Sequence, residues 1–145
     1  MIRAACHCEA VRFEFEAPPE WVLDCNCTLC RRYGALWGYL RGPGALTLLS
    51  GPTTDATDTY SWLDGDLAFH RCKTCGCVTH MMAAKVDPPA IYGVNMRLMA
   101  GLDPATVRVR RRDNGHSGFF WTRPDAPIEE SGHPPMPPPG RMDWR

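Results

Sequence analysis

Short apolar stretches recur along the chain, and where they alternate with polar residues the period is two. Residues 11–16 read VRFEFE, the pattern of a strand with one buried face. Further short runs, rich in aliphatic, aromatic or β-branched residues, are separated by turn signals such as the Gly-Pro-Gly at 42–44. The predicted strands are 11–16, 36–40, 45–49, 57–62, 67–71, 78–83, 90–94 and 106–109, with a short apolar run at 21–23.

Helical patterns are few and short. Only residues 29–35 and 98–102 predict helices, each of about one turn, and no long amphipathic pattern with a period of 3.6 is present. Many short strands without a long helix predict an all-β, or β-dominated, fold of antiparallel sheets with short helical turns.

Composition divides the chain in two. Seven of the fourteen prolines fall between Pro124 and Pro139, and so proline-rich a stretch cannot build a packed core. We therefore predict a folded domain over residues 1–118 and a proline-rich tail over 119–145. The tail is interpreted as an extended surface segment, and a ligand for a proline-recognising domain is the alternative.

Charge and hydropathy exclude several partners. Sixteen basic residues balance sixteen acidic ones, so no overall charge attracts nucleic acid or an anionic membrane. The basic run at 108–112 is interpreted as a strand with alternating exposed arginines.

No apolar run approaches the roughly 20 residues of a membrane span. The N-terminus lacks a signal-peptide pattern, which favours a cytoplasmic location. No phosphate-binding loop or nucleophile elbow is present.

Eight cysteines are the main chemical feature of the sequence. In a reducing cytoplasm, cysteines at Cys-x-Cys and Cys-x-x-Cys spacings indicate metal binding or catalysis. A disulfide framework is the alternative, but these spacings suit chelation of a metal better than cross-linking.

Two cysteine pairs predict a closed zinc site. Cys72 and Cys75, followed by Gly76, have the form of a zinc knuckle, which supplies two ligands and needs a second pair. Cys6 and Cys8 are the simplest second pair. Four thiolate ligands leave no open position, so this site is predicted to be structural.

Cys25, Cys27 and Cys30 form the second candidate site. Three protein ligands leave the fourth position of zinc for water or substrate, as in catalytic zinc sites. Soft sulfur ligands suit a substrate thiol, whose thiolate form is reactive. In an alternative interpretation, Cys77 closes this site as a fourth ligand; otherwise Cys77 is a small buried residue.

Other side chains near the cysteines have two interpretations each. Arg31 and Arg32 are predicted either to offset thiolate charge or to bind a carboxylate of the substrate, and solvated surface positions are the alternative. His7 and His80 could replace a cysteine as ligand, but supporting or surface positions are favoured. The aromatic residues of the strands are interpreted as core rather than a stacking platform; they are Trp37, Tyr39, Tyr60 and Trp62.

The cysteine motifs together resemble a known family, that of the glutathione-dependent formaldehyde-activating enzymes and centromere protein V. The resemblance covers about residues 3–115. The matching motifs are CHC at 6–8, CNCTLCRRYGA at 25–35, RCKTCGCVTH at 71–80, YGVNMRL at 92–98 and GLD at 101–103.

The resemblance implies several small coiled sheets around zinc, with the same division of ligands between a structural and an active metal. It also implies a carbon–sulfur lyase-type activity that adds glutathione, or a similar small thiol, to formaldehyde or a similar small aldehyde. The alternative is a non-catalytic, zinc-stabilised β domain that binds a protein partner. Both interpretations share the fold, so only the site can separate them.

Overall fold

The computed structural model describes residues 1–50, 53–62, 65–87, 89, 91–102 and 107–113. The predicted tail at 119–145 lies outside these residues. Two α-helices of one turn, α1 (Cys30–Tyr33) and α2 (Thr53–Ala56), and a 3-10 helix (Met96–Leu98) accompany ten strands. The strands are β1 (Ile2–Ala5), β2 (Arg12–Phe15), β3 (Val22–Cys25), β4 (Trp37–Arg41), β5 (Thr47–Ser50), β6 (Thr57–Ser61), β7 (Leu67–Cys72), β8 (Val78–Ala83), β9 (Ile91–Asn95) and β10 (Val109–Arg112).

The described strands form two sheets. The smaller has the order β1-β2-β5, and the larger has the order β10-β3-β4-β9-β8-β7-β6. This confirms the prediction of a β-dominated fold with short helical turns. All neighbouring strands are antiparallel except β10, which runs parallel to β3 with Arg112 opposite Cys25. No helix in the described part of the chain is long and apolar enough to cross a membrane.

Most predicted strands agree with the structure, but three elements differ. Strand β1 was not predicted, because Ile2–Ala5 shows no clear alternation of apolar and polar residues. Strand β10 begins at Val109 rather than at residue 106, and its three arginines are all half-buried rather than alternately exposed. The predicted helical turn at 98–102 lies earlier, as the 3-10 helix Met96–Leu98. In each case pairing with a distant strand or a local cap outweighs the local pattern.

The core has two parts. The first lies between the two sheets, where Phe13 and Phe15 of β2 pack with Leu40 of β4 and Val94 of β9. The second lies on the larger sheet around Trp37 and Phe69, and it includes the side chains of Cys25, Cys27 and Cys30. The three-cysteine group is therefore set into the hydrophobic core, and its three sulfur atoms come from the short segment 25–30.

A stacked pair of histidines lies inside the fold. The rings of His70 and His80 are 4.3 Å apart and nearly parallel, at 9°. The hydroxyl of Thr79 donates its one hydrogen to the carbonyl of His70 at 3.3 Å. Nδ1 of His80 must therefore donate to the Thr79 oxygen, 2.9 Å away, which leaves Nε2 unprotonated. That nitrogen is buried without a hydrogen-bond partner among the described residues, so only the neutral ring suits this position.

This burial predicts a loss of stability in acid. Burial, and secondarily the neighbouring His70, lowers the pKa of His80 from 6.5 to about 3. Below pH 6.5 the unfolded chain binds a proton at His80 that the folded chain does not. The contribution of neutral His80 to the free energy of unfolding is therefore fully present above pH 6.5. It falls by about 1.4 kcal/mol per pH unit as the pH drops from 6.5 toward 3.

Urea unfolding between pH 7 and pH 5 tests this effect with the variants His80→Gln and His7→Gln. The parent and His7→Gln should lose stability more steeply than His80→Gln, because His7 is exposed and His80 is not. All three proteins carry the same cysteines, so release of metal in acid contributes equally to the three slopes of stability against pH. Identical slopes for the three proteins would contradict the assignment.

Candidate metal centres

The first candidate centre brings together the N-terminal part and the middle of the described chain. Cys6 and Cys8 follow β1, while Cys72 ends β7 and Cys75 lies in the turn beyond it. All four sulfur atoms lie within 4.8 Å of one another. The sulfurs of Cys6 and Cys8 are 3.7 Å apart, and those of Cys8 and Cys72 are 3.6 Å apart. The two predicted pairs are therefore brought together.

These distances fit a four-coordinate zinc ion. Four sulfurs at Zn–S bonds of about 2.3 Å, arranged as a tetrahedron, lie about 3.8 Å from one another. The two measured separations of 3.7 and 3.6 Å agree with that value. The donor set, four thiols, is the one that structural zinc sites use.

Backbone groups prepare these sulfurs to carry negative charge. The N–H of Val11 donates to the sulfur of Cys6 at 3.3 Å, and the N–H of Cys75 donates to that of Cys72 at 3.5 Å. Burial raises the pKa of Cys75, but hydrogen bonds from the backbone of Cys77 and Cys8 outweigh it and lower the value to about 5. Gly76, with φ of 77°, allows the tight turn of the knuckle.

The second candidate centre comes from one loop. Cys25 ends β3, Cys27 lies in the loop, and Cys30 begins α1. Their three sulfurs lie within 4.8 Å of one another, and all three residues are buried. A short extended strand followed by a tight turn is sufficient to converge these side chains. The grouping is the predicted one.

Hydrogen bonds concentrate negative charge on one sulfur of this group. Hydrogen bonds from the thiols of Cys25 and Cys30 lower the pKa of Cys27, and the backbone N–H of Cys30 adds a bond of 3.3 Å. The same contacts with Cys27 raise the pKa of Cys25, and contacts with Cys25 and Cys27 raise that of Cys30. Because negative charges on neighbouring sulfurs repel one another, three sulfurs this close together favour a single thiolate unless a bound cation balances the charge of the others.

A tryptophan and a distant strand hold this loop, and sequence reasoning missed both. The indole N–H of Trp37 donates to the sulfur of Cys30 at 3.2 Å. The backbone N–H of Asn26 donates to the carbonyl of Arg112 at 3.2 Å, and its side chain donates to Asp113 at 2.9 Å. Asn26 is fully buried. In the sequence, the only sign of this contact was a polar residue between two cysteines, and it did not indicate that Asp113 is the partner.

No fourth protein ligand joins the second group within the described residues, since no further Cys, His, Asp or Glu belongs to it. The sulfur of Cys77 instead hydrogen-bonds with Cys75 and accepts from the backbone of His7. Cys77 therefore lies beside the first group, and the interpretation that it closes the second is wrong. Neither histidine joins a group: His7 is exposed, and His80 is buried in the core rather than at the surface.

The two arginines after the loop differ. Both lie on α1; Arg31 is half-buried and Arg32 is exposed. Nη1 of Arg32 donates to the carbonyl of Thr28 at 2.6 Å, so this side chain folds back over the loop between Cys27 and Cys30. The structure thus places both arginines on the helix that begins with Cys30.

Aromatic side chains surround the second group. Trp37 is fully buried and packs edge to face on Phe69 at 6.0 Å, and Tyr33 lies 5.9 Å from the same ring. Tyr39 and Trp62 are half-buried in this cluster. Tyr60 is 48% exposed, so its prediction as core is wrong. It lies on β6, the edge strand of the sheet, where residues 58–61 are all exposed.

Two comparisons with known proteins match most of this chain. Residues 1–110 match the family model described as glutathione-dependent formaldehyde-activating enzyme. A crystal structure of a Rhodobacter sphaeroides protein is similar to this chain at 30% sequence identity and a TM-score of 0.58. The alignment covers 71% of this chain and 92% of the other.

Proposed function

Because this chain belongs to the family of glutathione-dependent formaldehyde-activating enzymes, we propose that it adds a small thiol to a small aldehyde at Cys25, Cys27 and Cys30. One observation supports this proposal above the others. Three buried sulfurs from one loop converge within 4.8 Å, and no fourth protein ligand joins them within the described residues. Such a donor set could hold a zinc ion with a position open to substrate.

The proposed roles of the two groups differ. Cys6, Cys8, Cys72 and Cys75 would hold a structural zinc ion that joins the N-terminal strand to the knuckle. Cys25, Cys27 and Cys30 would hold the catalytic zinc ion, which when bound lowers the pKa of a thiol and so favours its thiolate.

The addition itself requires little of the protein beyond positioning. The thiol sulfur forms a bond to the carbonyl carbon, the C=O double bond becomes single, and its oxygen takes a proton from solvent in place of the one the thiol released. The aromatic side chains of Trp37, Phe69 and Tyr33 pack around the three sulfurs and would restrict where a thiol and an aldehyde can approach them. Trp37 and Asn26 orient the loop through the hydrogen bonds described above. With glutathione and formaldehyde the product is S-hydroxymethylglutathione.

A spectroscopic titration tests whether a thiol reaches the second centre. The protein is loaded with Co²⁺, whose absorption reports thiolate ligands, and titrated with glutathione. Adding glutathione should change the cobalt spectrum, and the change should be absent from a Cys27→Ser variant that retains only the first centre. With formaldehyde labelled with carbon-13, the parent should speed exchange between free aldehyde and thiol adduct in NMR spectra. An unchanged cobalt spectrum and an unchanged exchange rate would favour the protein-binding module instead.

Arg31 and Arg32 are proposed to bind the carboxylates of the thiol substrate. Arg31→Ala or Arg32→Ala should weaken glutathione binding at low ionic strength by roughly two- to fivefold, the scale of a partly exposed charge contact, and less at high salt. Mercaptoethanol, an uncharged thiol without a carboxylate, should bind all variants equally. Arg41→Ala, an exposed arginine on β4, is the matched control. Unchanged glutathione binding by both variants at low salt would make these arginines surface residues only.

A further inference from the structure

A second site of interest is a cavity of about 760 Å³ between β1, β2 and the 3-10 helix. Its wall contains none of the three cysteines of the second centre, nor Arg31 or Arg32. The volume lies within the roughly 300–1,000 Å³ of small-molecule sites. The proposed thiol–aldehyde reaction makes no use of this cavity.

Positive charge dominates the wall. Arg3, Arg12 and Arg97 come from three separate elements, β1, β2 and the 3-10 helix, and all three line the cavity with exposed side chains. Among the described residues of the wall, Glu9 is the only acidic one. Arg3 also forms an ion pair of 3.6 Å with Glu14, but such long, exposed pairs contribute little and leave the arginine able to bind another anion.

The rest of the wall is largely apolar. Leu98 and Met99 are half-buried, and Leu49 is 44% exposed. A cavity that combines guanidinium groups with an aliphatic surface suits a molecule with the same two parts. Guanidinium groups bind carboxylates and phosphates through paired N–H donors, while the apolar surface favours a short hydrocarbon body.

We propose that this cavity is a binding site for a small organic anion that carries a carboxylate or phosphate on a short apolar body. The site is separate from the three-cysteine centre. Cys77 also lines the cavity and hydrogen-bonds with Cys75, so a molecule bound here lies next to the four-cysteine group and not next to the proposed reaction.

An NMR titration of the full-length, zinc-loaded protein tests the proposal. Glutarate and butyl phosphate are the anionic probes, and butylammonium is the cationic control of similar size. At least one anion should bind saturably with a Kd below about 1 mM, with amide shifts at Ala5, Leu49, Leu98 and Ala100. The tighter anion identifies the head group. Shifts that do not saturate, that spread over the whole surface, or that butylammonium reproduces would overturn the proposal.

Two kinds of substitution distinguish the effect of the arginine charges on anion binding from the effect of the shape of the cavity. Arg12→Gln and Arg97→Gln should each weaken binding of the tighter anion by about fivefold or more, whereas the exposed Arg41→Gln on β4 should not. Ala100→Trp should fill the mouth of the cavity and abolish binding without any change of charge. If the arginine variants lose zinc but bind the anion as the parent does, these arginines serve the four-cysteine group and the proposal fails.

The result of the anion-binding experiment is independent of the proposed enzyme activity. Cys27→Ser should bind the anion like the parent, because Cys27 is absent from the cavity wall. A parent protein that binds no anion but forms the thiol adduct would overturn only this inference. Anion binding without any effect of thiols on the second centre would overturn only the proposed activity.

Discussion

Replacing Cys72 with serine is expected to remove one zinc ion per chain and to unfold much of the domain. Cys72 ends β7, and its sulfur lies 3.6 Å from that of Cys8, sixty-four residues away in the chain. A zinc ion there would join the N-terminal strand to the centre of the fold. Apparent binding energies of structural zinc, about 10–16 kcal/mol, match or exceed the whole stability of a typical domain, about 5–15 kcal/mol.

Metal analysis and thermal unfolding followed by circular dichroism measure this effect. Cys6→Ser should behave like Cys72→Ser, because each variant leaves three ligands. Cys77→Ser is the matched control, since this neighbouring cysteine lies outside the four-sulfur group and should keep both zinc content and stability. A Cys72→Ser protein with full zinc content and unchanged thermal stability would show that the first centre is not structural.

Replacing Cys27 with serine is expected to reduce thiol–aldehyde addition to the uncatalysed rate while the domain stays folded. Its sulfur lies within 4.8 Å of those of Cys25 and Cys30 and accepts a hydrogen bond from the backbone N–H of Cys30, so its loss would leave only two sulfurs to hold a metal. Three ligands from one loop hold a metal less firmly than four from distant elements. A mild chelator should for the same reason strip one zinc ion from the parent and leave the fold intact.

Labelled-aldehyde NMR, metal analysis and circular dichroism of the same preparation measure these effects. Thr28→Ser, a half-buried neighbour in the loop, is the control and should retain both metals and activity. If Cys27→Ser kept its activity, the reaction would take place elsewhere. If it unfolded, the second centre would be structural. A side chain that completes a closed tetrahedron at this centre would favour the protein-binding module.

Much of the fold could be predicted because its strands are short and locally patterned. Residues 11–16 alternate without interruption, and β2 lies within them. Strand β10 shows the limit of this reasoning. Arginines at three consecutive positions carry no apolar period, and their half-burial depends on parallel pairing with β3, a contact across more than eighty residues that no local pattern specifies.

The cysteine groupings were the other strong prediction. Cys25, Cys27 and Cys30 lie within six residues, so backbone geometry alone brings their sulfurs close together. The pairing of Cys6 and Cys8 with Cys72 and Cys75 required a different argument, that a two-ligand knuckle needs a second pair. The structure brings all four sulfurs within 4.8 Å. Their occupancy by zinc and their separate roles stay predictions.

The sequence by itself determined the strand-rich class and the two thiol groups, because period-two patterns and short cysteine spacings act over a few residues. Only the tertiary structure decided which side Cys77 faces, how deeply His80 is buried, and that Asp113 holds the loop through Asn26. It also decided that three arginines from separate elements line one cavity. These features depend on which distant strands pair, and that is set by packing of the whole core rather than by any local segment.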